Sequence, residues 1–259
     1  MSLHYVMEMP STSNEDLREY IKKSVEQSEN SRREYTLYGN VYVYVHDFLP
    51  ENVNLVSDLQ TIENTLPSHL VNEIDTIFIG EFEALKTKSY TAMYESGAIY
   101  VSNDQDNEAD MVDDIIHEIA HSLEYPYGWS IYSDNLIEQE FLRKRLQMFD
   151  ILYGHEYVEE KHKNMFMNVE YSTEFDAFLY KGVGYDKLLH LTMEVFTTPY
   201  AATSLREYFA TGLEDYYLRD RGYLKKISPR LYKKLDKLHK GDYDAVSYTH
   251  LTLPTSDLV

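Results

Sequence analysis

His117-Glu118-Ile119-Ala120-His121 is the stretch in which residue type and spacing most directly imply chemistry, an H-E-x-x-H pattern. On a helix, positions i and i+4 share a face one turn apart, so His117 and His121 can hold a single cation between them. Glu118 is rotated off that pair yet stays beside the ion's open position. A carboxylate there can take a proton from a metal-activated water and pass it to a leaving amine. Two imidazoles leave a catalytic Zn2+ one protein ligand short. Cysteine is absent, so the missing ligand has to be a histidine or a carboxylate, and no disulfide is possible. His4, His46, His69, His155, His162, His190 and His239 have no companion at ligand spacing and read as surface or internally satisfied residues.

After His121 the chain runs Ser-Leu-Glu-Tyr-Pro-Tyr-Gly, so the H-x-x-G-x-x-H continuation that would supply a third histidine is missing. A thermolysin-style N-E-x-x-S-D is missing too. A glutamate on a later helix remains. Glu207 is the best candidate, in an amphipathic segment (204–217) where Leu205, Tyr208, Phe209, Leu213 and Tyr216 are available to pack. A carboxylate beside such an apolar stripe is costly unless a cation compensates it. Glu174, in Ser172-Thr-Glu-Phe-Asp-Ala-Phe178, has similar surroundings, lies nearer in sequence and is the second candidate.

The elements that must position these residues follow from periodicity. Residues 40–46 and 74–79 are dense in β-branched and aromatic side chains and read as strands, with a helix over 54–70, broken at Pro67, between them. Strand, helix, strand in that order suggests a parallel crossover. Residues 90–94 and 98–101 flank Glu95-Ser96-Gly97 as a hairpin. The motif helix is expected over 107–124, burying Met111, Val112, Ile115, Ile116, Ile119, Ala120 and Leu123. Acidic residues suit its N-terminal half. An earlier helix is expected over 14–29, and later ones over 135–153, 173–180, 185–196, 204–217 and 229–239. The charge-mixed run 138–145 reads as a solvated helix face.

The expected fold class is therefore α+β and zincin-like: a small mixed N-terminal sheet, then the active-site helix, then a mainly helical C-terminal part. An edge strand, expected at 98–101, could pair with an extended peptide and lay it over the metal.

H-E-x-x-H followed downstream by Glu207-Tyr208-Phe209-Ala210 resembles the catalytic domain of anthrax lethal factor and the related Pro-Pro endopeptidases. That resemblance implies a zinc metalloendopeptidase in which the Glu opening E-[FY]-F-A, here Glu207, is the third ligand. It also implies that a Tyr seven residues earlier, here Tyr200, faces the metal and stabilises the developing oxyanion. The residue seven before Glu174 is Met167, so the second candidate lacks that tyrosine. Tyr223-Leu-Lys-Lys-Ile-Ser-Pro-Arg-Leu-Tyr232 is also similar to the family's segment after the ligand helix. The stretch from His121 to Glu207 is longer than the family's usual spacing, which points to an inserted helical segment at about 131–185 that shapes the cleft or pads the fold. Metal ligands are thus expected to be His117, His121 and Glu207, with Glu118 as general base and Tyr200 as oxyanion donor. The alternative is an inactive zincin-fold binding module or toxin or effector component.

A formal charge of −20 argues against nucleic acid, whose phosphates call for clustered Lys and Arg. A peptide or protein substrate is expected, and no membrane partner. The first residues lack the pattern of a signal peptide and no run is long enough to span a bilayer, so a soluble, by default cytoplasmic, protein is expected. Most of the 25 tyrosines are expected to pack in the core or on the surface, a few in a substrate cleft. The domain reading is a helical lead-in at 1–39, a catalytic domain at 40–245, and a tail at 246–259. That tail resembles the conceptual translation of a transposon-type sequencing adapter and is set aside from the fold.

Overall fold

The computed structural model describes residues 33–88, 90–105 and 108–243, together with Arg18 and Lys22, both helical. The rest of the helix expected over 14–29, and the tail 246–259, lie outside the described residues.

Five strands, β1 (Glu34–Leu37), β2 (Val41–Val45), β3 (Thr76–Gly80), β4 (Ala92–Glu95) and β5 (Ala98–Ser102), form one sheet in the order β1-β2-β3-β5-β4. β2, β3 and β5 run parallel, and β1 and β4 flank them antiparallel. Side chains alternate along each strand. Val41, Val43, Ile77, Ile79, Ile99 and Val101 are buried on one face. On the other, Tyr44, Phe78 and Tyr100 stack across three strands with ring centroids 5.9 and 5.3 Å apart. The sheet begins at β1, so the expected helical lead-in over 1–39 is wrong at its end.

Helix α1 (Leu55–Thr65) connects β2 to β3 and is capped by Asn54, whose side chain accepts from Ser57 N. It stops before Pro67, which forces Leu66 into extended backbone, and a 3-10 turn (Ser68–Val71) follows. A short helix α2 (Glu83–Lys88), not anticipated from the sequence, precedes the hairpin. Ser96 and Gly97 both take positive φ, 48° and 84°, which suits the two-residue turn between right-twisted strands.

The edge expectation is corrected here. β5 pairs with β3, so β4 is the outer strand on that side. The hairpin itself was legible. Which arm turns inward depends on packing, and β5 brings Ile99 and Val101 to the core.

The motif helix α3 (Glu108–Tyr132) spans 25 residues. Its apolar residues from Met111 to Leu123 are all buried, as its periodicity requires. It does not end at Glu124, and runs through Pro126 instead. Tertiary contacts hold the far end: Ile131 is buried and the Lys234 ammonium donates to Ser130 O at 2.7 Å.

Helix α4 (Leu136–Gly154) overturns the solvated-face reading of 138–145. Glu140, Lys144 and Arg145 are buried. Glu140 accepts from the Tyr208 hydroxyl (3.1 Å) and from the backbone N–H groups of Arg230 (2.9 Å) and Leu231 (3.0 Å). Lys144 donates to Val195 O. Arg145 donates to Ala202 O (2.5 Å) and Met165 O (2.6 Å) and lies 3.8 Å from the Phe175 ring centroid. Every partner is far along the chain, so no local pattern announced them.

The remainder is α5 (Lys163–Phe166), α6 (Thr173–Ala177) with a π-helical continuation (Phe178–Val183), α7 (Tyr185–Thr192), a 3-10 turn (Tyr200–Ala202), α8 (Leu205–Leu218), α9 (Arg221–Ile227) and α10 (Pro229–Lys240). The helix expected over 185–196 ends four residues early, and α9 was not anticipated. The molecule is thus mixed α+β, with a small N-terminal sheet and a mostly helical remainder. Among the described residues, no helix is long and apolar enough to cross a membrane.

Candidate metal centre

Helix α3 carries His117 and His121 on one face, their ring centroids 5.0 Å apart. His117, Glu118 and His121 each offer one ligand atom, all within 4.8 Å of one another, so this group can hold a metal ion. Helix α8 lies against α3 and brings Glu207 to the same point. Glu207 Oε2 is 2.9 Å from His117 Nε2 and 3.6 Å from His121 Nε2. Ligands at 2.0–2.1 Å from a tetrahedral ion stand about 3.3 Å from each other, so these separations bracket what such an ion requires. The donor set, two imidazole nitrogens and one carboxylate oxygen, suits Zn2+.

Glu207 sits in the first turn of α8 because Ser204 caps that helix, its hydroxyl accepting from Glu207 N at 3.1 Å. Ser and Glu at this spacing would ordinarily form a reciprocal capping box. Here the Glu207 carboxylate goes to the histidines. Glu174, the second candidate, is exposed on α6.

Both imidazoles present Nε2 to Glu207 and are held at Nδ1 by a further carboxylate. His117 Nδ1 bonds Glu214 Oε1, and His121 Nδ1 bonds Glu124 Oε2 at 3.3 Å. An N–H at Nδ1 selects the tautomer whose Nε2 lone pair is free for a cation. Sequence reading missed both carboxylates, although the spacing held a signal. Glu214 lies two helical turns beyond Glu207, and Glu124 lies one turn beyond His121.

Electrostatics tie the cluster together. Burial opposes protonation of His117, but its bonds to Glu207 and Glu214 outweigh this and raise its pKa well above the ordinary value. His121 is raised to about 9, its bonds to Glu124 and Glu207 overcoming burial. Burial would raise Glu207, yet its two imidazole bonds hold it well below the carboxylate range. The carboxylates around the two imidazoles thus favour positive charge at this point.

Glu118 shares the cleft and is anchored to the sheet through one oxygen. Its Oε2 accepts from Tyr94 N on β4 at 2.6 Å, and burial raises its pKa. Tyr200 stands in its 3-10 turn with its ring 6.1 Å from that of His117. Burial, then the Glu207 charge, raise its hydroxyl pKa, so the phenol stays a donor. All five predicted site residues line one cleft of about 830 Å³. β4 supplies Ala92, Met93 and Tyr94 to its wall. Tyr171, Asp176, Tyr180 and Tyr185 come from the expected insertion, so that segment both shapes the cleft and, through α4, belongs to the core. Asp176 accepts from the hydroxyls of Tyr185 (2.6 Å) and Tyr171 (2.9 Å).

No family model, curated protein or solved structure matches the chain.

Proposed function

We propose that the protein is a zinc-dependent endopeptidase with a zincin-like fold, in which His117, His121 and Glu207 hold Zn2+. One observation carries the reading: a Glu207 oxygen lies 2.9 and 3.6 Å from the two Nε2 atoms, although 86 positions separate it from His121. The resemblance of the two motifs to lethal factor and the Pro-Pro endopeptidases supports it independently.

When bound there, Zn2+ would lower the pKa of a coordinated water toward about 7 and polarise a carbonyl. Glu118 then serves as base through the carboxylate oxygen that Tyr94 N leaves free, and returns the proton to the leaving nitrogen. Tyr94 N fixes the carboxylate in place before substrate arrives. Tyr200 donates its hydroxyl to the oxygen that gains charge. β4, the outer strand along the cleft, offers its edge to an extended peptide.

The decisive experiment is cleavage of a peptide library by the zinc-loaded protein, with metal content measured alongside. Glu118→Gln should keep stoichiometric zinc and lose hydrolysis. Unchanged turnover in that variant would end the mechanism, and zinc without any cleavage would favour a binding module.

A further inference from the structure

The two carboxylates behind the histidines are themselves gripped from one helix. Arg206, near the start of α8, directs Nε (2.7 Å) and Nη2 (2.6 Å) at Glu124 Oε2, the oxygen that meets His121 Nδ1. Arg219, at the C-cap of α8, directs Nη1 at Glu214 Oε2 (3.4 Å) and Asp215 Oδ1 (3.1 Å), and Nη2 at Asp113 Oδ2 (2.9 Å). Glu214 in turn bonds His117 Nδ1. Two chains therefore run in parallel, Arg206–Glu124–His121 and Arg219–Glu214–His117. Glu124 and Asp113 belong to α3, so both arginines also cross to the helix that carries the histidines.

We infer that Arg206 and Arg219 are positioning residues for the metal centre, each setting one imidazole through its carboxylate. The inference rests on the metal centre proposed above. Glu124 and Glu214 are nearly buried, with side chains 12% exposed, so neither carboxylate is free to turn to solvent. Without its arginine, each carboxylate would lose a bond that holds its rotamer. Glu124 has the Tyr132 hydroxyl on its other oxygen, which fixes only one end. An arginine fork on the remaining oxygen fixes the second end, and with it the direction of the imidazole N–H. Both guanidinium side chains are partly exposed, 60% for Arg206 and 44% for Arg219, yet each is paired with the carboxylates of this centre.

The test uses Zn2+ alone, measured by chelator competition on the full chain, with Co2+ absorption reporting coordination. Arg206→Gln and Arg219→Gln should each weaken Zn2+ binding by roughly 10- to 100-fold. Arg206→Lys should recover most of the affinity, since a single ammonium can reach Glu124. Arg219→Lys should recover little, since three carboxylates share the guanidinium. A double-mutant cycle separates positioning from general stability: Arg219→Gln combined with Glu214→Gln should bind Zn2+ about as well as Glu214→Gln alone. The Co2+ spectrum of either single variant should shift even at saturating metal. Wild-type affinity within twofold in both Gln variants, or additive losses in the cycle, would overturn the inference. A wild-type protein that binds no Zn2+ would instead refute the metal centre itself.

Discussion

Tyr200 and Lys144 show how burial sets opposite consequences for two polar side chains. Burial and the neighbouring Glu207 charge keep the Tyr200 hydroxyl protonated, as the proposed role of oxyanion donor requires. Tyr200→Phe is expected to keep zinc and to lose roughly 10²- to 10³-fold in kcat, the usual effect of deleting one such donor. Steady-state kinetics on the best library peptide would measure it, and an unchanged kcat removes Tyr200 from the mechanism. Lys144 instead carries a cost. Burial lowers its amine from 10.5 to about 8, so the folded protein binds this proton less readily than the unfolded chain does. The penalty is complete below pH 8 and fades as pH rises from about 8 to 10.5. Lys144→Met should raise unfolding free energy at pH 7 by roughly 1–3 kcal/mol and flatten the pH dependence of stability in that window. If the variant is less stable at pH 7, the bond from Lys144 to Val195 O outweighs the cost of burying the charge.

At the scale of elements, α3 and α8 form the site between them. Contacts of Glu124 with Arg206, His117 with Glu214 and Asp113 with Arg219 order the two helices antiparallel. A shift of one turn in either would separate Glu207 from the histidines. Ser204 sets the start of α8, and through it the first-turn position of Glu207. Ser204→Ala should cost about 1 kcal/mol of stability. It should also weaken Zn2+ binding, while Ser204→Thr keeps both; denaturant melts and metal titration read the two effects separately. Unaltered zinc affinity in Ser204→Ala would mean that the α3–α8 packing alone places Glu207. Further along α8, Gly212 lets α10 close in, since a Cβ there would stand 2.4 Å from a Leu231 methyl. Glu140 completes that junction by accepting from the first free N–H groups of α10.

For the whole molecule, a bound ion would couple the sheet-side helix to the C-terminal helices. If Zn2+ binds the folded state only, a thousandfold excess over its dissociation constant stabilises it by about 4 kcal/mol. For a chain of this size the melting temperature should rise by on the order of 10 °C relative to chelator-treated protein. Identical melting curves with and without chelator would show that no ion is held. The sequence by itself determined what depends on neighbours along the chain: the i, i+4 histidine pair, the Ser96-Gly97 hairpin, the helix stop before Pro67, and the order of sheet before helices. These follow from helical and strand periods and from turn chemistry, which act over a few residues. The paired motifs already favoured Glu207 over Glu174, and the tertiary structure brings the Glu207 carboxylate to the imidazoles while Glu174 is exposed. Packing alone made β4 rather than β5 the outer strand. It likewise decided that Glu140, Lys144 and Arg145 lie inside, and that Glu124 and Glu214 back the histidines. Each of those outcomes is a choice among chemically similar residues, made by which distant segments pack against one another.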